Sequence, residues 1–323
     1  MAETKLVQGK GYGTLRGIIV GKTAPRKNFE FEEKLDKNGK KYRKMKLMVK
    51  TSENNVITTE LFGGVRDEVY AYNNKLKQSK KIPWARKDDK LPEGFAFINP
   101  IEFDLVKEVH ESYQDGDSVF VKIEPQFSTY EDQQGVTKQQ VKFIVKNIYK
   151  ATEPINLTAE KFEEEAKFVQ DVVIRDVSED IKEKKLFISA YINLYGGKFE
   201  PADFIVETVK DPQFAKNMKG LKFGDVVKIN GIIQNRMLTE DVEVENKGWG
   251  TKAKVGTTPY KCLEITGADG DTLQKKLYKE EDFVKNEVEE IMAGKGDKVN
   301  KVLEELEKDQ AEGNDSLPFD LDE

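Results

Sequence analysis

The sequence predicts a mainly β chain: two tandem five-stranded barrels, followed by C-terminal helices and a disordered acidic tail. Three observations carry this prediction. An order of three strand-like segments, one helical segment and two further strands occurs twice along the 323 residues. In each copy a Gly-Asp pair, Gly116-Asp117 and then Gly224-Asp225, follows the helical segment and opens an alternating strand. Beyond Tyr278 the apolar period changes from two to that of a helix, and the chain ends in EGNDSLPFDLDE, which holds acids and no base.

In chain order, residues 12–23 (YGTLRGIIVGKT) read as a first strand, with Leu15, Ile18 and Val20 toward the core. Gly13, Gly17 and Gly21 permit sharp coiling or bulges there. Arg26, Lys27, Phe29 and Phe31 load the loop that follows. Asn38-Gly39 is a hairpin signal, because both residues tolerate positive φ. The strand after it has period two: Met45, Leu47 and Val49 point inward, while Tyr42, Lys44, Lys46 and Lys50 point outward with Met48. Together with Lys41, this outer row offers cations for phosphates and a ring for a base. The alternative is an edge strand that uses lysines to block aggregation.

Residues 56–64 (VITTELFGG) form a third strand, and residues 68–77 read as a helix with Val69, Tyr72 and Leu76 at helical spacing. Residues 79–100 are an inserted loop with three prolines, where Trp84 lies beside Arg86 and Lys87. That tryptophan serves either to clamp a ligand or to pin the loop. Strands over 118–130 and 139–150 complete the first unit, residues 1–150. This order resembles the OB-fold, a five-stranded Greek-key barrel that binds oligonucleotides or oligosaccharides over strands two and three.

Residues 151–165 form a connector, and 166–278 a second OB-like unit. Its strands cover 167–177, 184–195 and 199–209, and a short helix over 211–220 has Pro212 in its first turn. On the second strand Phe187, Tyr191 and Tyr195 face outward, either as stacking platforms worth about 1–3 kcal/mol per base or under cover of another element. A strand over 226–237 precedes a polar loop, residues 235–258, carrying Trp249 next to Lys252 and Lys254. Residues 260–266 close the unit, with Cys262 as a buried strand thiol. Over 279–311 two apolar stripes (Val284, Val288, Ile291, Met292; then Val299, Val302, Leu303, Leu306) predict amphipathic docking helices. The tail, 312–323, is too acidic to bury enough surface to fold alone.

Charge is graded along the chain. Residues 1–150 hold 28 Lys+Arg against 21 Asp+Glu, residues 151–278 hold 19 against 22, and residues 279–323 hold 6 against 16. A basic head and an acidic tail suit a polyanion site with a built-in competitor. One cysteine excludes an internal disulfide framework, and no apolar run reaches a membrane span or a secretory h-region, so a cytoplasmic protein is expected. One histidine, His110, with no phosphate loop, dinucleotide fingerprint or paired-histidine motif argues against an enzyme. No cofactor and no metal are expected.

With this strand order and this tail, the chain resembles bacteriophage-type single-stranded DNA-binding proteins of replication and recombination. Its tail is similar to the acidic tips of bacterial single-stranded DNA-binding proteins, which end in aspartates and Ile-Pro-Phe. Leu317 matches the isoleucine, Pro318 the proline, Phe319 the phenylalanine and Asp315 the aspartate run. Phe319 is not terminal, because Asp320, Leu321, Asp322 and Glu323 follow, so a pocket that reads the terminal carboxylate is not matched. The resemblance implies single-stranded DNA as ligand and replication or recombination proteins as tail partners. Two barrels in one chain, against the one-barrel bacterial tetramer, imply fewer subunits in any homo-oligomer. Two rival functions use the same barrels: RNA binding or strand annealing, and virion assembly.

Overall fold

A computed structural model describes the backbone of residues 6–23, 29–246 and 250–283, and the side chains of these except 237–259. The first unit begins with β1 (Gly11–Val20), β2 (Glu32–Leu35), β3 (Lys41–Lys50) and β4 (Val56–Gly64). An inserted sheet follows, made of β5 (Glu68–Asn73), β6 (Gln78–Pro83) and β7 (Phe95–Ala96), with a 3-10 turn at Trp84–Arg86. Helix α1 (Glu102–Ser112), β8 (Ser118–Glu131) and β9 (Thr137–Lys150) complete it. The second unit contains β10 (Glu165–Asp180), β11 (Lys185–Asn193), β12 (Phe199–Glu207), α2 (Pro212–Lys219), β13 (Val226–Asn246) and β14 (Gly250–Gln274).

The pairings close into two equivalent circuits. In the first, β1 pairs with β3, β3 with β4, β4 in parallel with β9, β9 with β8, and β8 with β1. In the second, β10, β11, β12, β14 and β13 take the same roles, again closed by a parallel pairing, Ile205 opposite Glu264. The Gly-Asp junctions are equivalent down to single atoms. Asp117 O accepts from Ile19 N at 3.0 Å and Gly116 N donates to Ile19 O at 3.0 Å; Asp225 and Gly224 do the same with Ile174, at 2.8 and 2.9 Å. Each carboxylate also accepts the backbone N–H three residues upstream, from Gln114 and from Lys222. Gly116 (φ 90) and Gly224 (φ 80) adopt left-handed backbone that a side chain rarely permits.

The circuits fuse along β1 and β10, which pair antiparallel from Gly11–Gln170 to Arg16–Glu165. A single core runs through both, with Phe204 of β12 between Phe127 of β8 and Phe168 of β10. At the seam the buried Asn55 donates to Ile233 O (2.9 Å) and to Glu164 (2.6 Å), and Asn235 N donates to its Oδ1 (2.8 Å). Arg236 pairs with the same Glu164 at 2.8 Å.

Several sequence expectations are corrected. Residues 68–77 are not helical: β5 buries Val69, Ala71 and Asn73 at period two, and Asn73 Oδ1 caps the next turn by accepting from Lys75 N and Leu76 N. The helix of the first unit is α1 instead, burying Phe103, Leu105, Val106 and Val109. Residues 79–100 are not a plain loop, because β6 and β7 both pair with β5. Residues 235–246 and 250–258 are not a loop: β13 and β14 stay paired as far as Asn246 opposite Gly250. On β1 the inward residues are Leu15 and Ile19; Ile18 and Val20 lie on the other face. Strand β11 ends at Asn193, so Tyr195 falls in the turn beyond it. The C-terminal stripes and the tail lie outside the described residues.

Candidate nucleic-acid interface

Strand β3 alternates as its sequence requires. Met45, Leu47 and Val49 are buried, and Tyr42, Lys44, Lys46, Met48 and Lys50 lie on the outer face. The lysines are not bare. Lys44 pairs with Glu32 of β2 at 3.3 Å, Lys46 with Glu60 of β4 at 3.1 Å, and Lys41 with Glu33 at 3.4 Å. Hydrogen bonds from Lys34 first, and also from Lys44, hold the Glu32 carboxyl below its usual range, and the Arg43 guanidinium does so for Glu33. Pairs this exposed are screened by solvent and weak, so an arriving phosphate can take the cation. Tyr42 leans on the exposed Phe62 of β4, with ring centroids 5.7 Å apart.

Two cavities adjoin at Lys46, Glu60 and Lys142, which line both, and together they make up the trough. The first, about 720 Å³, crosses the outer face of β3, β4 and β9, past Lys44, Phe62, Arg66 and Lys146. The second, about 490 Å³, runs between the units, with Phe127 and Tyr130 of β8 on one wall and Asp203 and Lys261 on the other. Ile233 and Asn235, which bond Asn55 across the seam, line this cavity as well. Most of the bases carry a carboxylate partner: Lys142 is 3.6 Å from Glu60, Lys146 2.9 Å from Glu124 and Arg66 3.3 Å from Glu102. Cys262 also lines the cleft, and burial pushes its thiol up, away from the nucleophilic thiolate.

The predicted residues do not all gather here. Lys44 and Lys46 line the trough, whereas Lys50 is farther along β3 and makes no ion pair among the described residues. Trp84 sits edge-on to Phe103 at 5.7 Å and packs into the core of the inserted sheet; Arg86 is exposed and pairs with Asp89 at 2.8 Å. The three rings near β11 do not form one row. Phe187 is half-exposed, Tyr195 is 84% exposed in its turn, and Tyr191 is partly buried. Phe283 stacks on Tyr191 at 4.5 Å, Phe199 meets it edge-on at 4.8 Å, and Arg175 lies 5.6 Å from its ring. Arg26, Lys27, Trp249, Asp315, Leu317, Pro318, Phe319, Asp320 and Asp322 lie outside the residues whose side chains are described.

Sequence reading missed Phe62, Arg66, Tyr130, Lys142, Lys146 and Lys261. Phe62 was legible, since Ile57, Thr59 and Leu61 are its inward neighbours by period two. Lys142 and Lys146 were legible too, since Val141, Phe143 and Val145 are their inward neighbours by period two and the bulge opposite Lys122–Ile123 comes only after Val145. Among the described residues no cluster of His, Cys, Asp or Glu could hold a metal ion, and no helix is long and apolar enough to cross a membrane.

A model of the YorF family matches residues 18–309. No curated protein matches the sequence. Among solved structures, the wild-type single-stranded DNA binding protein from Thermus aquaticus superposes with a TM-score of 0.38 at 8% identity, over 81% of this chain and 93% of that one. A deletion mutant of the same protein gives 0.38 at 9%, over 81% and 94%. Superpositions this loose transfer no site residue.

Proposed function

The chain belongs to the YorF family, and we propose that it binds single-stranded DNA along the trough, with weak sequence selectivity and without catalysis. The two strand circuits are read as tandem OB barrels, residues 1–150 and 166–278 joined by 151–165, with the trough over strands two and three of the first. The observation that carries the reading is the row of cations and rings lining two adjoining cavities. Lys44 and Lys146 line one cavity, Lys261 the other, and Lys46 and Lys142 both; Phe62, with Tyr42 against it, stands in the first and Tyr130 in the second. Cations spaced along a groove track a backbone, and rings beside them accept any base by its π-face. A duplex presents no unstacked base to those rings.

The role follows from this reading: coating single-stranded DNA during phage replication and recombination, in a host cytoplasm. The tail (Asp315, Leu317, Pro318, Phe319, Asp320, Asp322) recruits replication or recombination proteins and competes with DNA for the basic face. Its tether places it at an effective concentration of roughly millimolar. Anisotropy titration of labelled oligodeoxythymidine, with competition by duplex and by RNA of equal length, tests the ligand class. Log affinity should fall with log salt at a slope between about −2 and −4, since single strands give about −0.7 per contact. Duplex and RNA should compete poorly. Equal competition by duplex would defeat the reading, and stronger competition by RNA would replace DNA with RNA as the ligand.

A further inference from the structure

Outside the trough, the outer surface of β10, β1, β8 and β9 carries a second set of rings and cations. Tyr12 (58% exposed), Phe120 (42%) and Tyr149 (47%) all stand on it. Register places them in ordered rows. Arg16 lies between Glu165 and Phe120, and Phe120 is opposite Tyr149. In the next row Lys167, Thr14, Lys122 and Asn147 lie side by side across the four strands. The Arg16 guanidinium is 5.8 Å from the Phe120 ring and 5.6 Å from Phe162, and Lys122 Nζ is 5.9 Å from the Tyr149 ring. Asn147 Nδ2 donates to the Tyr149 hydroxyl at 2.5 Å, which fixes that ring. Among the described residues Arg16, Lys122 and Lys167 have no carboxylate partner, whereas Lys44, Lys46 and Lys142 all do.

We propose that this face is a second contact surface for single-stranded DNA, a stacking platform of Tyr12, Phe120 and Tyr149 flanked by free cations. It rests on the ligand class proposed above and extends the path of the same strand. Continuity with the trough supports it: β9 carries Lys146 at the trough end and Tyr149 on the platform, three residues or about 10 Å farther along. Charge argues for a polyanion over a second copy of this chain. In a two-fold dimer the same patch meets itself, which would set Arg16, Lys122 and Lys167 against their own copies.

The test compares short and long oligodeoxythymidines, of about 6 and about 30 nucleotides, because one OB unit covers about 4–16. The full chain is assayed with Phe120→Ala/Tyr149→Ala and, should that variant fold poorly, with Lys122→Glu/Lys167→Glu at two exposed positions. The ring variant should weaken the long oligomer on the order of tenfold or more and leave the short one unchanged. The charge variant should also flatten the salt slope of the long oligomer by about 1.4, two contacts at about 0.7 each. Unchanged long-oligomer binding in both variants overturns the platform. So does a fall in oligomeric state by light scattering with DNA affinity intact, which would make the face an interface between copies. If wild type binds neither length, the trough reading itself fails, and the platform falls with it.

Discussion

Glu60 stands between two trough lysines, 3.1 Å from Lys46 Nζ and 3.6 Å from Lys142 Nζ. A phosphate on this path must part the carboxylate from both and then sit beside it. Glu60→Gln keeps the shape and removes the charge, so DNA binding should tighten several-fold at low salt and converge with wild type as salt screens the site. Equal affinity at low salt would show that phosphates do not pass Glu60. The outward lysine row was legible in the period of residues 41–50. The acids that tie it were not, because Glu32 and Glu60 reach it from β2 and β4 through a register that only the fold sets. Asp117 makes a second residue-scale prediction. A hydrogen bond from Lys150 at 2.9 Å holds its carboxyl below the ordinary 3.8. The unfolded chain therefore binds more protons just below that value, so the stability this group adds is full above it and lost as pH falls through the lowered folded value. Asp117→Asn should melt lower than wild type at neutral pH yet lose less on acidification from about pH 5 to about pH 3. Parallel losses would contradict this.

At the scale of elements, the order of three strands, helix and two strands was legible, but the helix of the first unit was misplaced. Short apolar segments do not separate the two periods. Val69, Tyr72 and Leu76 fit a helix, while Val69 and Ala71 fit the strand that forms, and a strand there can pair with β6 and β7. The helix signal at Phe103, Leu105, Val106 and Val109 was equally present. Strand β11 teaches the converse: its inward row (Leu186, Ile188, Ala190, Ile192) follows the sequence, but the fate of its outer face depends on a segment ninety residues away. Phe283, 3% exposed, closes over Tyr191 and joins it to Phe199, Phe223 and Tyr278. Tyr191→Ala should therefore cost on the order of 1–3 kcal/mol of stability, seen as a lower Tm, and leave DNA affinity unchanged. Weakened DNA binding at wild-type Tm would return that ring to the ligand face.

At the scale of the molecule, the pairing of β1 with β10, the shared core and the Asn55 seam join the two circuits, so one groove runs from the first unit into the cleft between them. That cleft was invisible in the sequence, because its walls come from β4, β8 and β9 on one side and β12, β13 and β14 on the other. The charge gradient was fully legible, and it supports the proposed self-competition by the tail. Deleting residues 312–323 should tighten DNA binding, most at low salt; unchanged affinity there would leave the tail no competing role. The central claim is that one DNA strand lies across β3 and β9 on Lys46 and Lys142. Its most direct test is the salt dependence of oligodeoxythymidine binding by Lys46→Ala/Lys142→Ala beside wild type. The variant should bind more weakly, with a slope flatter by about 1.4, two contacts at about 0.7 each. An unchanged slope and affinity, with wild-type Tm, would place the DNA elsewhere.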